Sequence, residues 1–585
     1  MNETSKYWSM ARRTPINRRR LLRAGTSIAA GGLSLPVLAA CSSKKSGTPA
    51  PAVQTGARTT ATPAPASAAK VLANDAPLPS WAKRLAWEDP GPPVRGQTIN
   101  LAGADPVTLD VSQSLGSAPI RAVSYIYEKL LWLRGDWWED TAIVPGLAQS
   151  YEQPDNTTVI LHLRNNVRYH NVAPVNGRQF TSADVGWNID YDQKSSLLRH
   201  WGPTQKWSAP DATTVRIDLA SPYSSLITEM ADVHNVMFPR EVFEKEGNFA
   251  KTAIGTGPYM LDRYEPKVQV SWKRNPDYWR MGTDGKPLPY ADAVDQFIFA
   301  DIPSSIAALE AGRLAGGFGP GLLPADGEPL SQRQRNLLIP VGPWMNGLWM
   351  LFNLTVPHWQ DVRVRKAALL AMDQQRIIDT VFLGKGLWQG GMPAAITDFS
   401  WSQDKLKQAF KPDPQKAKQL LDAAGATGLE VTSTGPYNND IEQAGQSMLN
   451  AGGFKVSLNP QQYAEHYAAL QSGKFDLFIY KVDWISYDPD YWTYGSFHSG
   501  DPHNYARIND PDLDKMLENQ RAELDHDKRK AIIDNILQYV LVDKAYIGPM
   551  PVHFAYHPQQ PWLKNKPTDN FSHENIGVEH AWIKH

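Results

Sequence analysis

From Gln97 onward the chain predicts an α/β fold, on three observations. Short runs alternate with period two or are continuously apolar, as half-buried and buried strands are. Other segments carry a capping residue and repeat apolar side chains at i, i+3, i+4 and i+7, as amphipathic helices do. The two kinds interleave along the chain instead of segregating, which favours sheets covered by helices over an all-α or all-β body. With 585 residues, 42% hydrophobic and 20% charged, the chain is globular and long enough for two to four lobes.

The N-terminal 40 residues read as an export signal. Asn17-Arg18-Arg19-Arg20-Leu21-Leu22-Arg23 is a charged region with paired arginines, followed by an uncharged stretch from Ala24 to Ala40. Seventeen residues interrupted by Gly31, Gly32 and Pro36 are short for a bilayer core of about 30 Å, so a cleaved signal is expected rather than a spanning helix. The arginine pair resembles a twin-arginine signal and favours that route over an ordinary secretory one. Leu38-Ala39-Ala40-Cys41 then resembles a lipobox, and the only Cys of the chain stands in the slot that is lipidated. Acyl chains contribute about 0.8 kcal/mol per buried CH₂, so the expectation is a lipid anchor at Cys41. Residues 41–94 form a Pro/Ala/Thr-rich tether that lacks apolar area to offset its ordering entropy.

Charge follows the same division. The total is −1, but residues 1–40 carry +6 and residues 81–585 carry −10. An acidic body offers no footprint for a phosphate backbone, so nucleic acid is excluded as a partner. A single Cys rules out an intramolecular disulfide, a Cys-based zinc site and an iron–sulfur cluster.

Within the body, Thr98-Ile99-Asn100-Leu101, Val159 to Leu163 and Thr214 to Leu219 are expected strands. Asp413-Pro414 caps a helix whose Ala417, Leu420, Leu421 and Ala424 share one face and which Gly425 ends. Asp361 caps another, with Val364, Ala367, Ala368 and Ala371 inward, and Ile532, Ile533, Ile536, Leu537 and Val540 mark a third. Gly255-Thr256-Gly257-Pro258-Tyr259 reads as a turn, its glycines supplying positive φ. Arg274 to Trp279 reads as a packed loop, and Asp184 as an N-terminal helix residue.

Several of these stretches together resemble the extracytoplasmic solute-binding proteins of family 5, the peptide, nickel and oligosaccharide class of ABC importers. The resemblance runs through Pro145 to Glu152, Leu161 to His170, Phe180 to Val185, Gly255 to Tyr259, Arg274 to Trp279, Asp361 to Ala367, the helix after Asp413, and Asn504-Tyr505 with Asn509 to Asp514. It covers about residues 97 to 515 in family order. It implies a periplasmic-binding-protein-like fold of type II: two α/β lobes joined by a hinge, with ligand between them and an extra subdomain inserted in the first lobe. The implied boundaries are 95–140, 250–345 and 545–585 for the first lobe with the C-terminal tail, 141–249 for the insertion and 346–544 for the second lobe. Ligand would favour the closed state, which the membrane partner reads.

The same resemblance locates the ligand. Peptide binders of the family have a Trp, or another residue, in a strand-end loop and an aspartate three residues after that position that pairs with the peptide's α-ammonium. Here Leu477 to Trp484 reads as a buried strand ending in acidic and aromatic residues, continued by Ile485-Ser486-Tyr487-Asp488-Pro489. Trp484 matches, but the +3 position is Tyr487, and the loop to Asp488-Pro489 is two residues shorter. Asp483 or Asp488 is left to substitute, with Ser486 between. Among the 20 Trp, Trp137, Trp138, Trp344, Trp349, Trp484 and Trp492 are candidates to stack on sugar rings or peptide side chains, against core packing as the plain alternative. Ser117, in the Gly/Ser turn after the first strand, is the remaining polar candidate.

The expected function is capture of a short peptide or oligosaccharide by a monomeric lipoprotein on the extracytoplasmic face, with ABC permease and ATPase subunits as partners. No cofactor and no catalytic residue is expected, since no G-x-S-x-G, H-E-x-x-H or Cys–His arrangement occurs. Two alternatives stay open: a secreted Trp-rich carbohydrate-active hydrolase using carboxylates such as Asp136, Glu139 and Asp140, and a nickel-type metal-chelate binder. His553 and His557 lie on an expected strand and His573, His580 and His585 in a tail, so no protein metal site is expected there.

Overall fold

The computed structural model describes residues 92–584, except 115–116, 134–142, 196–199, 320, 345–346, 394–395, 397, 437–439, 483–485, 487 and 567–576. The signal, Cys41 and nearly all of the tether lie outside the described residues, as do Trp137, Trp138, Asp483, Trp484 and Tyr487.

The described chain folds into two main α/β bodies, each with its own large hydrophobic core. The first core draws on residues from Ile99 to Ala315 together with Leu563, Val578 and Ala581. Its sheet runs in the order Gly316–Gly317, Thr98–Gly103, Ala293–Ile298, Gln269–Arg274 and Tyr259–Glu265. The first three strands are mutually parallel, and Gln269–Arg274 runs antiparallel to both of its neighbours, Ala293–Ile298 and Tyr259–Glu265. A four-stranded antiparallel sheet, Ala148–Asp155, Thr158–Leu163, Thr214–Leu219 and Thr204–Asp211, shares that core through Val159, Leu161, Val215 and Ile217. The second core runs from Leu348 to Met550 around a five-stranded sheet: Lys455–Gln461, Glu430–Pro436, Leu477–Val482, Gly347–Phe352 and Ile547–Pro549.

Local chemistry explains the elements that place these bodies. Asp413 accepts from the Lys416 N–H at 2.9 Å, capping Pro414–Ala423, and Gly425 takes a φ of 68° just beyond its end. Asp361 accepts from the Arg363 N–H at 2.8 Å and starts Val362–Ala371, whose Val364, Ala367, Ala368 and Ala371 are buried. The third expected helix, His526–Leu537, continues into a wider π-helical turn, Gln538–Asp543. Asp184 accepts from the Thr181 N–H at 2.8 Å at the start of Ser182–Asp192.

The turn at 255–259 departs from expectation in its reason. Neither Gly255 nor Gly257 has positive φ. A Cβ at either would lie 2.1 Å or 2.6 Å from the Ile126 carbonyl oxygen, so close backbone approach excludes a side chain. The Gly257 N–H donates to that same oxygen at 2.8 Å. Glu128, two residues on, accepts from Tyr278 and Trp279 at 2.9 Å each, which is why the 274–279 loop is packed down.

Candidate binding site

The chain passes between the two cores along paired strands. Val341–Pro343 pairs antiparallel with Val552–Tyr556, whereas Gly347–Phe352 pairs with Ile547–Pro549. The Trp344 N–H donates to the His553 carbonyl at 2.9 Å and the Met550 N–H to the Leu348 carbonyl at 3.0 Å, so both crossings run side by side. Gly386–Leu387 adds a third strand on the Val552–His553 side. Trp344 is half-buried and stacks on His553, ring centroids 4.9 Å apart at 19°. His553 is buried, and its Nδ1–H donates to the Phe554 carbonyl at 3.0 Å. Burial lowers its pKa to about 4, only partly opposed by that bond, so the hinge imidazole is neutral.

The strand Leu477–Val482 ends beside this crossing, Val482 pairing with Gly347. Leu477–Val482 is the central strand of its sheet, between Glu430–Pro436 and Gly347–Phe352. Tyr480, inside that strand, pairs with Trp349.

Three sequence-predicted site residues differ from expectation because they are interior. Trp349 is 1% exposed, packed edge-on against Trp492 at 6.0 Å and against Phe497 at 5.8 Å. Every residue of Gly347–Phe352 is buried, so neither face of this strand meets solvent. Trp349 Nε1 has no hydrogen-bond partner among the described residues. Ser486 is 2% exposed; its hydroxyl accepts from the Asp488 N–H at 3.2 Å and its carbonyl from Trp492 Nε1–H at 2.9 Å. Asp488 is 4% exposed and caps Pro489–Phe497 by accepting from the Asp490 N–H at 2.9 Å. Arg529 meets it with Nη2 at 2.6 Å and Nη1 at 3.2 Å. Burial alone would raise the Asp488 pKa; the Arg529 charge and hydrogen bonds outweigh it and hold the carboxyl below its usual range. A carboxylate so committed is not free to receive a ligand's ammonium group. Ser117 stands at the start of Ser117–Val123 and is half-buried, compatible with a polar contact.

The structure adds a second connection between the bodies that sequence reading missed. Tyr223, Ser224 and Ser225, from the first body, reach Asp488, Asp490, Gln520, Arg521 and Arg529 of the second. The Ser225 hydroxyl donates to Asp488 at 2.9 Å and accepts from Arg529 at 3.0 Å. The Ser224 N–H donates to the Arg521 carbonyl at 2.9 Å. Arg521 holds Asp490 at 2.8 Å and lies 3.5 Å over the Tyr494 ring. The Tyr223 hydroxyl donates to Glu229 and stands 3.4 Å from Asp490. No short motif announces these partners, which are separated by up to 304 residues.

No helix among the described residues is long and apolar enough to cross a membrane.

Comparison with known proteins places this geometry. The family model of bacterial extracellular solute-binding proteins, family 5 middle, matches residues 142–504. Di/tripeptide-binding protein 1 of Pseudomonas aeruginosa is 26% identical over 460 residues, which is 72% of this chain and 82% of that protein. Two solved structures resemble the fold with TM-scores of 0.72, each covering 84% of this chain and 99% of its own. One is the periplasmic binding protein AgaA of A. tumefaciens R10 with agropinic acid, 23% identical. The other is the ABC transporter-associated periplasmic binding protein DppA of Helicobacter pylori with peptide STSA, 20% identical.

Proposed function

The chain belongs to the bacterial extracellular solute-binding proteins, family 5, and from that membership we propose that it captures a short peptide or related small solute between its two bodies for delivery to an ABC permease and ATPase. The observation that carries the peptide reading is the likeness, over 72% of this chain, to a protein named for di- and tripeptide binding. No catalytic role is assigned: the protein binds and releases.

The ligand contacts in this reading are Asp483, Trp484 and Tyr487, in the segment that follows Leu477–Val482, together with Ser117 and with Trp344 at the hinge. Trp484 supplies the aromatic surface. With Asp488 paired to Arg529, Asp483 is the carboxylate left in that segment to receive a peptide's ammonium group. The first lobe comprises 95–140, 250–345 and 545–585, with 141–249 inserted, and the second lobe 346–544; the two separate cores support this division. Closure of one lobe on the other about the Trp344–His553 crossing encloses the ligand. Lipidated Cys41 and the tether to residue 94 keep the monomer at the extracytoplasmic membrane face.

A second reading, capture of an oligosaccharide, is favoured by Tyr487 at the +3 position, where an amino-anchoring aspartate is absent. Native mass spectrometry of the purified protein, followed by thermal shifts with matched peptides and oligosaccharides, separates the two. A ligand that binds the folded state raises the melting temperature. Stabilisation by peptides alone supports the first reading, and by oligosaccharides alone the second. Conversion of either into fragments would replace both by a hydrolase.

A further inference from the structure

We propose that His200, Asp232 and His234 form a binding site for one divalent transition-metal ion of the zinc type, built into the first body where it meets the second. One ligand atom from each residue lies within 4.8 Å of the other two, and each residue is 3% exposed.

Local structure brings the three together. Asp232 and His234 follow the short helix Leu226–Glu229, and the Asp232 Oδ1 accepts from the His234 N–H at 2.9 Å, which sets both side chains on one side of the turn. His200 comes from the segment after Ser182–Asp192. There the Trp201 Nε1–H donates to the Asp192 Oδ2 at 3.0 Å and ties that segment back to the helix end. The two imidazoles lie nearly parallel, 14° apart, with centroids 6.2 Å apart.

One separation is a hydrogen bond and the other is longer, and both fall near those of ligands to one ion. His200 Nε2 stands 3.6 Å from Asp232 Oδ1, too long for a hydrogen bond, while His234 Nδ1 stands 2.9 Å from the same oxygen. Donors about 2.0–2.1 Å from a tetrahedral zinc ion lie roughly 3.3 Å from one another, and these two separations bracket that value. Two imidazoles and a carboxylate form a donor set suited to zinc, with a fourth position left for water.

The other ring nitrogen of each histidine, not the one facing Asp232, is without a partner among the described residues. His200 Nδ1, His234 Nε2 and Glu229 Oε2 are buried and have no hydrogen-bond partner among the described residues. Buried polar atoms without partners are uncommon in native proteins, and ordered water is the usual partner of such atoms turned away from an ion. His200 Nδ1 also lies 3.5 Å from Asp192 Oδ2, so a carboxylate stands behind the ring whose Nε2 faces Asp232. That is the arrangement by which outer carboxylates orient metal-ligating histidines. The site adjoins the contact between the bodies. Glu229, at the end of the helix that precedes Asp232, is bonded to Tyr223 of the docking segment. A bound ion therefore braces the surface on which the second body rests.

The test uses untagged full-length protein stripped with EDTA and then titrated with Zn²⁺ and, separately, Co²⁺. The expected result is one equivalent per chain, visible Co²⁺ bands of a tetrahedral or five-coordinate site with nitrogen ligands, and a raised melting temperature with Zn²⁺. Loss of outer partners alone costs 10- to 100-fold in affinity, so His234→Gln is expected to weaken Zn²⁺ binding by at least about tenfold. His200→Gln is expected to do the same, provided its circular dichroism matches the parent. Absence of stoichiometric uptake by the parent protein overturns the proposal whatever the variants do. So does uptake left unchanged by His234→Gln, because the ion then sits elsewhere.

Discussion

The Ser225 hydroxyl donates to Asp488 at 2.9 Å while accepting from Arg529 at 3.0 Å, so a side chain of the first body completes a buried ion pair of the second. All three residues are buried. Removing one member has unequal consequences. Arg529→Met strands a buried carboxylate and is expected to cost about 3–5 kcal/mol. Ser225→Ala removes a hydrogen bond to charged groups and is expected to cost about 1.5–3 kcal/mol. Urea unfolding of both variants checks the order; equal effects would mean that Asp488 finds another partner.

Trp349 and Trp492 pack against each other, yet only Trp492 has a described partner for its ring N–H, the Ser486 carbonyl at 2.9 Å. Trp→Phe at either site removes similar apolar area. Trp492→Phe also leaves a buried carbonyl short of a donor, and is expected to destabilise by about 1 kcal/mol more than Trp349→Phe. Thermal unfolding of the two variants side by side measures the difference.

Acid sensitivity should come from buried neutral histidines. Burial lowers His553 and His170 to about 4, and His557, also beside Arg121 and Lys566, to about 3. In the unfolded chain each titrates near 6.5. Between these values the unfolded state binds more protons, so stability is full above pH 6.5 and is lost as pH falls toward 4. His553→Gln removes one such group and should make stability fall less steeply over pH 6.5–4, by up to about 1.4 kcal/mol per pH unit. Denaturant midpoints taken at half-unit pH steps would show it.

What could be read from the sequence follows the range of the interactions. Asp361 and Asp413 cap helices through bonds two and three residues away, so their helices were predictable from local pattern. The need for glycine at 255 and 257 was recognisable but not its reason, because the excluding atom belongs to Ile126. Trp349 was a fair aromatic candidate, but a strand buried on both faces has no alternation to reveal a hidden ring. Asp488 and Arg529 are 41 residues apart and Asp488 and Ser225 are 263 apart, beyond any motif. His200 and Asp232 converge only through the fold, although the Asp232-x-His234 spacing was a local hint.

The proposed anchor makes a prediction of its own. Cys41→Ser removes the only thiol, and with it the proposed acylation site. In the native host the variant should move from the membrane to the soluble fraction, followed by immunoblot. Unchanged membrane retention would place the anchor elsewhere.

Reversible capture of a short peptide is the central claim, and isothermal titration of ligand-stripped protein with di- and tripeptides tests it most directly. Saturable one-to-one binding is expected, with the peptide recovered intact, weakened by Trp484→Ala and by Asp483→Asn. Absence of binding by every free peptide, or recovery of cleaved products, would contradict the account.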